Sequence, residues 1–376
     1  MKLSTLFLFL LLALPRADGG GTVGPPRWSR EGPPGVNALS IAVDAANPAL
    51  VYLADGNGLG VLRSLDGGET WGTANNGISI GIDGRVYVQA IATDPSTPGT
   101  IYAAGASDVF RAVIYKSVDA GDHWEQEGSF VADLQFGIRC LAVDPREPSH
   151  LYIGTNSRYF GLISKTTDGG QTWLPTAYSG GLVEVIRFSP NRPGVVYAGR
   201  YAVTVGGASG GLLISHDRGD SWTPVGGGLP ETAITDVSFE PSSPSALYAA
   251  ATNEGLFRST DSGRTWSHIE SLPGPPTTVI RVAASPGSTM ALYVGVSSDG
   301  QSFEIFRSFD RGETWMRIDG GFATIYLNAL RFDSQGLVLY AATQDGVFVL
   351  RLGRGFRTAP PEDPPPASVG GRPARP

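Results

Sequence analysis

The sequence predicts an all-β protein built from a repeated four-stranded unit, and three observations lead to this fold class. Gly and Pro number 51 and 28 among the 376 residues. Both residues are costly inside helices, so many long helices are excluded. Hydrophobic residues make up 41% of the chain, enough to form a core, so general disorder is excluded as well. Two short patterns also recur at nearly constant spacing, which indicates a repeat architecture.

The first pattern is a tyrosine between apolar residues, and it recurs seven times at spacings of 45 to 51 residues. The seven tyrosines are Tyr52, Tyr102, Tyr152, Tyr197, Tyr248, Tyr293 and Tyr340. The second pattern is Ser/Thr-x-Asp-x-Gly-x-Thr/Ser-Trp, in which His123 is the one exception at the seventh position. Its copies are residues 64–71, 117–124, 166–173, 215–222, 259–266 and 308–315.

Each repeat can be divided into four strands, a to d. Residues 88–94 illustrate strand a, residues 100–105 the tyrosine strand b, and residues 303–308 strand c, while strand d starts at the tryptophan. Seven such units predict a single seven-bladed β-propeller over residues 20–357. A β-solenoid is the alternative, but repeats of this length with four strands each suit it poorly.

The tryptophans indicate how the ring closes. Six of the seven end the second pattern, and the seventh, Trp28, precedes the first repeat. The last repeat, residues 327–350, has its tyrosine but lacks the second pattern and its tryptophan. We therefore predict that an N-terminal strand around Trp28 supplies the outer strand of the last blade. Such closure removes two open sheet edges.

The second pattern has the composition of a tight turn between strands c and d. The Asp carboxylate can accept backbone N–H groups, the Gly can adopt positive φ, and the Ser/Thr hydroxyl can satisfy a further turn group. The Trp can anchor the turn on the apolar layer between sheets. Calcium is disfavoured, because each turn offers one certain carboxylate and calcium takes six to eight oxygens.

This pattern on a four-stranded repeat resembles the Asp-box, also called the bacterial neuraminidase repeat. The resemblance implies the propeller fold and covers nearly the whole predicted mature chain. Asp-box propellers include sialidases, xyloglucanase-type glycosidases, sortilin-like ectodomains and photosystem II stability factors. In all of these the motif lies at the blade periphery, away from the ligand. The resemblance therefore implies no site role for Asp66, Asp119, Asp168, Asp217, Asp261 and Asp310.

The two ends are expected to lie outside the fold. Residues 1–19 contain Lys2 followed by an apolar run, as in a secretory signal peptide. A buried N-terminal strand is the alternative. Residues 358–376 are Pro-rich and predict a disordered tail. No other stretch has the length of a membrane span, so we expect an exported mature chain, in a bacterial periplasm or extracellular, without an integral membrane segment.

Charge and composition exclude several functions. The net charge is −7 with no basic patch, so nucleic acid is not an expected partner. The chain has one cysteine, which excludes an intramolecular disulfide. Its four histidines are scattered, and no pair has zinc-ligand spacing. We therefore predict no metal and no cofactor, whereas the oligomeric state stays open.

Candidate ligand-binding residues lie in the enlarged b–c loops of blades 2 to 4. They are Asp108, Arg111, Arg158, Tyr159, Arg200 and Tyr201. These side chains could form a groove for a sugar or an extended peptide, or they could be ordinary solvated loop residues.

The starts of the seven a strands give a second set of candidates, a ring of equivalent positions. The ring consists of Leu39, Gln89, Arg139, Glu184, Thr235, Ile280 and Asn328. Arg139 is a further ligand-binding candidate, and we expect it to form an ion pair with Glu184. A catalytic Glu184 would instead need a second carboxylate roughly 5–10 Å away. The weak catalytic candidates are Asp55, Glu184 and Asp236.

Two functions remain open. The absence of a recognisable catalytic set favours an exported, non-catalytic scaffold that binds a protein segment or a glycan on the face formed by the b–c and d–a loops. The alternative is a glycoside hydrolase of sialidase-like or xyloglucanase-like type. Residues 20–45 lack the Arg-Ile-Pro signature of sialidases, whose propellers have six blades. Xyloglucanase-type enzymes use paired aspartates and two propellers, and their acidic pattern is matched only loosely, through Asp55.

Overall fold

The computed structural model describes most of the region between the two ends of the chain. The described residues are 27–79, 81, 83–106, 112–130, 137–156, 161–201, 210–243, 245–273, 278–287, 290–297, 302–318, 322 and 326–352. The predicted signal peptide (1–19) and the predicted tail (358–376) lie outside these residues, so both remain expectations.

Every regular element in the described residues is a β-strand, and the strands form the seven blades of a β-propeller. The first strand is β1 (Trp28–Arg30). Blade 1 contains β2 (Ala38–Val43), β3 (Val51–Asp55), β4 (Gly60–Ser64) and β5 (Gly72–Thr73). Blade 2 contains β6 (Val88–Thr93), β7 (Ile101–Ala106), β8 (Ala112–Ser117) and β9 (Glu125–Glu127). Blade 3 contains β10 (Ser129–Phe130), β11 (Ile138–Val143), β12 (Leu151–Asn156), β13 (Gly161–Thr166) and β14 (Thr172–Gly180).

The remaining four blades repeat the same plan. Blade 4 contains β15 (Leu182–Phe188), β16 (Val196–Tyr201), β17 (Gly211–Ser215) and β18 (Thr223–Pro224). Blade 5 contains β19 (Ile234–Phe239), β20 (Leu247–Ala251), β21 (Gly255–Ser259) and β22 (Ser267–His268). Blade 6 contains β23 (Thr278–Ala284), β24 (Leu292–Ser297), β25 (Glu304–Ser308) and β26 (Met316–Ile318). Blade 7 contains β27 (Leu327–Phe332), β28 (Val338–Thr343) and β29 (Gly346–Arg351).

Neighbouring strands within a blade pair in sequence order and antiparallel, as the four-strand reading predicts. Blade 3 differs by one short strand. Its β10 pairs in parallel with the outermost strand, β14, with Phe130 opposite Trp173. The linker from blade 2 thus covers part of the edge of blade 3, which protects an otherwise open edge.

The ring closes as the tryptophan count predicts. β1 pairs antiparallel with β29, and Trp28 lies opposite Leu350. The Trp28 side chain is buried and meets the ring of Phe322 edge-on at a centroid distance of 5.4 Å. The N-terminal strand therefore completes blade 7 as its fourth strand.

The seven a strands share an irregularity that creates the predicted ring. In each of them the pairing register with strand b shifts at one residue near the start of the strand. The seven residues at the shift are Leu39, Gln89, Arg139, Glu184, Thr235, Ile280 and Asn328. An extra residue of this kind re-aims a side chain away from the regular pleat.

Hydrogen bonds between neighbouring blades link the two repeated patterns. The Tyr52 hydroxyl of blade 1 donates a hydrogen bond to the carbonyl of Ala120, in the c–d turn of blade 2, at 3.2 Å. Three further tyrosines donate in the same way to the next blade around the ring: Tyr152 to Arg218 at 2.5 Å, Tyr197 to Ser262 at 2.9 Å and Tyr340 to Gly67 at 3.0 Å. Each accepting carbonyl belongs to the fourth residue of the turn pattern.

That fourth turn residue has a left-handed backbone. Its φ is +60° at Ala120, +58° at Arg218 and +62° at Ser262. An L side chain in this region costs roughly 1–2 kcal/mol. This conformation presents the carbonyl to the neighbouring tyrosine, and that hydrogen bond helps to offset the cost. The glycine that follows also has positive φ. Positive φ at the glycine is confirmed, whereas positive φ at the residue before it was not predicted.

We expect Trp28→Ala to lower the free energy of unfolding by about 3–5 kcal/mol, because it removes a large buried side chain from the closure of the ring. Trp28→Phe should cost much less, since the buried indole Nε1 has no hydrogen-bond partner among the described residues. Urea unfolding of both variants measures the difference. A protein lacking residues 20–30 that melts at the wild-type temperature would contradict the closing role of β1.

Tyr197→Phe should destabilise the protein by about 1 kcal/mol, because it leaves the Ser262 carbonyl without its donor. Tyr293→Phe is the matched control. Within the described residues the buried Tyr293 hydroxyl donates to no turn carbonyl, because the next blade, blade 7, lacks the turn pattern. Its removal should therefore cost less stability than Tyr197→Phe. Equal losses in urea unfolding would show that the hydroxyl bonds between blades do not stabilise the ring.

Candidate functional site

The a strands of all seven blades surround a central channel that contains a cavity of about 350 Å³. Among the described residues that line it, six are charged: Arg139, Glu184, Arg187, Asp236, Arg281 and Arg331. Blades 1 and 2 contribute only neutral residues, so the charges lie on the wall formed by blades 3 to 7.

The mouth of the channel is the edge where the a strands start and the b strands end. Here Arg139 Nη2 lies 2.9 Å from Glu184 Oε2, which confirms the predicted ion pair. The Arg139 side chain is 53% exposed and that of Glu184 is 13% exposed. Arg139 therefore stays available to a ligand at the mouth, while Glu184 is largely covered.

Asp236 lies deeper in the channel and is buried. Its Oδ1 accepts hydrogen bonds from Arg187 Nη2 at 2.8 Å and from the backbone N–H of Val237 at 3.0 Å. Its Oδ2 lies 3.6 Å from Arg331 Nη1. Arginines from blades 4 and 7 thus converge on one carboxylate of blade 5.

Arg187 and Arg331 were not singled out from the sequence, although a signal for them was present. Both lie opposite the repeated tyrosine in the a–b pairing. The other five blades carry a small residue at this position: Ala42, Ala92, Ala142, Ser238 and Ala283. Because the other blades have only small side chains at this position, a long arginine side chain has room only in the channel.

Arg281 is the third deep arginine. Its Nε donates to the carbonyl of Asn328 and its Nη1 to the carbonyl of Ile280, both at 2.6 Å. It has no ion pair within the described part of the chain. Burial lowers the pKa of Arg281, and burial together with the charge of Arg187 lowers the pKa of Arg331 to about 10.

Asp55 is held at the mouth edge and does not face the channel cluster. Its buried carboxylate accepts three backbone N–H groups, from Asn37 at 2.9 Å, Asn57 at 3.0 Å and Leu59 at 2.8 Å. These bonds fix the b–c loop of blade 1 to the segment before β2. The structure therefore gives Asp55 a loop-stabilising position and brings Glu184 and Asp236 to the channel.

Of the loop candidates, Asp108, Arg111, Arg158 and Tyr159 lie outside the described residues. Arg200 and Tyr201 end β16 at the mouth edge, and Tyr201 is 48% exposed. A second exposed aromatic on this edge, Tyr326, is 57% exposed and directly precedes β27. Tyr326 lies in a d–a loop, outside the b–c loops and a-strand starts from which the candidates were predicted, and no sequence pattern marks it.

The six turn aspartates lie on the edge of the ring opposite the mouth. Their carboxylates accept hydrogen bonds from groups of their own turns. Asp66 accepts the Thr70 N–H at 2.8 Å and the hydroxyls of Thr70 at 2.5 Å and Ser64 at 2.7 Å. A hydroxyl hydrogen bond is the main reason that the pKa values of Asp66, Asp168, Asp217 and Asp261 are lowered to about 2. Within the described chain, no three His, Cys, Asp or Glu side chains form a group that could hold a metal ion.

The chain is similar in sequence to parts of known propeller proteins. The family model described as Sortilin, neurotensin receptor 3 (Sortilin-Vps10) matches residues 210–348. The xyloglucanase Xgh74A of Acetivibrio thermocellus is 32% identical over 187 residues, which cover 40% of this chain and 22% of the relative. A xyloglucanase from a Paenibacillus species is 33% identical over 168 residues, covering 37% of this chain and 16% of the relative. The chain thus spans only about a fifth of the length of these relatives.

Solved structures extend the likeness to the whole propeller. The GH74 xyloglucanase of Xanthomonas campestris matches with a TM-score of 0.69 and 19% identity, covering 87% of this chain and 54% of the enzyme. A structure described as YCF48 bound to D1 peptide matches with a TM-score of 0.64 and 16% identity, covering 88% of this chain and 98% of YCF48. At these identities the likeness concerns the fold. The matches are β-propeller families and agree with the resemblance drawn from the repeats.

The depressed aspartate pKa values predict a loss of stability in acid. The folded pKa of about 2 lies below the ordinary value of 3.8. The turns therefore contribute their full stability above about pH 4 and lose it progressively toward pH 2. Asp66→Asn should be less stable than the wild type at pH 7 and lose less between pH 4 and 2.5. Glu125→Gln, an exposed carboxylate outside the turns, should keep the wild-type slope. Identical slopes for all three proteins in thermal melts would contradict the assignment.

Proposed function

We propose that the protein is an exported, non-catalytic binding module that takes a protein segment or a glycan on the mouth face. The mouth face is defined by Arg139, Arg200, Tyr201 and Tyr326. One observation carries the choice of binding over hydrolysis: both carboxylates among the described channel residues, Glu184 and Asp236, are engaged by arginines. A catalytic carboxylate must reach the substrate within hydrogen-bond distance, whereas these two are held by contacts within the protein.

The mouth face has the chemistry that such a ligand needs. Tyr201 and Tyr326 are exposed at 48% and 57%, and flat aromatic rings offer apolar area with little loss of conformational freedom. Arg139 stands half-exposed between the mouth and the channel and can donate to a carbonyl, a hydroxyl or a carboxylate. Aromatic surface and a directional donor on the same edge of the ring suit a sugar ring or an extended peptide equally.

The neighbours support both parts of the proposal. YCF48, whose whole length this chain matches in fold, is described in its complex with a peptide. The xyloglucanase relatives support a glycan as the ligand of the proposed binding module. They also support the second candidate function, a glycoside hydrolase. The described residues contain no helix that is long and apolar enough to cross a membrane. We propose export on the strength of residues 1–19 alone.

A binding panel of sialosides, xyloglucan, other β-glucans and a peptide array tests the proposal, with cleavage and retention scored together. We expect retention without cleavage. Tyr326→Ala should weaken retention about tenfold, which corresponds to roughly 1.4 kcal/mol. Leu65→Ala, an exposed apolar residue in a c–d turn on the opposite edge, is the matched control and should bind normally.

Cleavage of any glycan that disappears in Glu184→Gln or Asp236→Asn would contradict the proposal and establish the hydrolase instead. Normal retention by Tyr326→Ala and Tyr201→Ala together would show that the ligand does not use the mouth face. If the protein retained none of the sugars and peptides in the panel, the proposed binding of these ligand classes would be wrong.

A further inference from the structure

The channel is positively charged within an acidic protein. The whole chain has a net charge of −7. The described channel lining has four arginines against two carboxylates, which leaves two positive charges. Like charges enclosed by protein repel one another more strongly than in water, because the effective dielectric constant is lower. The excess therefore calls for a counter-charge inside the channel.

One carboxylate cannot satisfy the three deep arginines. Arg187 makes a short contact to Asp236 at 2.8 Å, but Arg331 stays 3.6 Å away and donates to its own Leu330 carbonyl at 2.7 Å. Arg281 donates two hydrogen bonds to backbone carbonyls and none to a carboxylate among the described residues. Arg139 and Glu184 neutralise each other at the mouth. The unbalanced charges are thus those of Arg281 and of the Arg187–Arg331 pair around Asp236.

The opposite wall can accept an anion without repelling it. Blades 1 and 2 line the channel with neutral residues, among them Ser40, Gln89 and Thr93. The Ser40 oxygen accepts the Ile91 N–H at 3.3 Å, so its own hydroxyl hydrogen is available to an acceptor. The cavity of about 350 Å³ has room for a small ion and several waters, each of which fills about 30 Å³.

Burial is the main cause of the lowered pKa values of Arg281 and Arg331, and the charge of Arg187 is a further cause at Arg331. A lowered arginine pKa means that the surroundings destabilise the charged form. An anion placed beside these guanidinium groups would reverse the effect.

We infer that the channel binds a small, doubly charged oxyanion, of the phosphate or dicarboxylate class, through Arg187, Arg281 and Arg331. The dianion matches the two excess charges, and the planar guanidinium groups match the paired oxygens of either class. The anion lies on the side of the arginines that faces blades 1 and 2, away from Asp236. This site lies within the channel and does not depend on whether the mouth face binds a glycan or a peptide.

The experiment compares sodium phosphate, sodium succinate, neutral succinamide and sodium chloride at matched ionic strength on the full chain. Isothermal titration calorimetry measures binding, and thermal melts measure stabilisation. We expect phosphate or succinate to raise the melting temperature by about 3 °C or more near saturation, because a ligand that binds only the folded state stabilises it. Succinamide and chloride should leave it unchanged. Phosphate alone would identify a tetrahedral oxyanion, and succinate alone a dicarboxylate.

Arg281→Gln and Arg331→Gln should each weaken the binding at least tenfold. Arg264→Gln removes the same charge from an exposed turn position and should bind as the wild type does. The inference is overturned if the wild type shows neither heat nor a selective melting shift with either dianion. It is also overturned if both channel variants bind normally. Should both variants fail to fold, the succinate and succinamide titrations of the wild type decide alone.

Discussion

The ring depends on one hydrogen bond that is repeated from blade to blade, from a strand-b tyrosine to a turn carbonyl of the next blade. Tyr52, Tyr152, Tyr197 and Tyr340 all make it. The bond is possible only if the fourth turn residue turns its carbonyl outward, which needs a positive φ. The Ser/Thr and Asp of the turn hold that backbone from within, as Ser64 and Asp66 do. The two sequence patterns are therefore two halves of a single contact between blades.

Two of the other three tyrosines, Tyr293 and Tyr248, meet a different partner for a visible reason. Blade 7 lacks the turn, so the buried hydroxyl of Tyr293 in blade 6 has no turn carbonyl to reach within the described part of the chain. At the junction of blades 5 and 6 a side chain takes over the role. The Tyr248 hydroxyl lies 3.4 Å from Glu240, and Arg311, the fourth residue of the blade 6 turn, pairs with the same carboxylate at 2.9 Å. Blade 7 instead gains its fourth strand from the N-terminus through Trp28.

Residue patterns predict the blades and their closure, but not the details of backbone register and loop path. Seven tyrosines and six turns predicted the blade number, and the unpaired Trp28 predicted the closure. The ring of a-strand starts was predicted because equivalent positions in a repeat lie at equivalent places. The bulges at that ring, the parallel strand β10 and the exposed Tyr326 each depend on backbone register or loop path, which a residue pattern does not encode. Arg187 and Arg331 could have been found by aligning the repeats and asking which one breaks a column of small residues.

The position opposite the repeated tyrosine is also where the sequence departs from what stability alone would select. Five blades show that alanine or serine suffices opposite the tyrosine, so arginine at Arg187 and Arg331 is not needed to build a blade. Partly burying these charges costs free energy that one aspartate only partly offsets. Residues that break a local rule without a structural gain are characteristic of functional sites. Asp236 offsets only part of this charge, with Arg187 at 2.8 Å and Arg331 at 3.6 Å. The arginines of blades 4 and 7 therefore mark the channel as the part of this fold that packing alone does not explain.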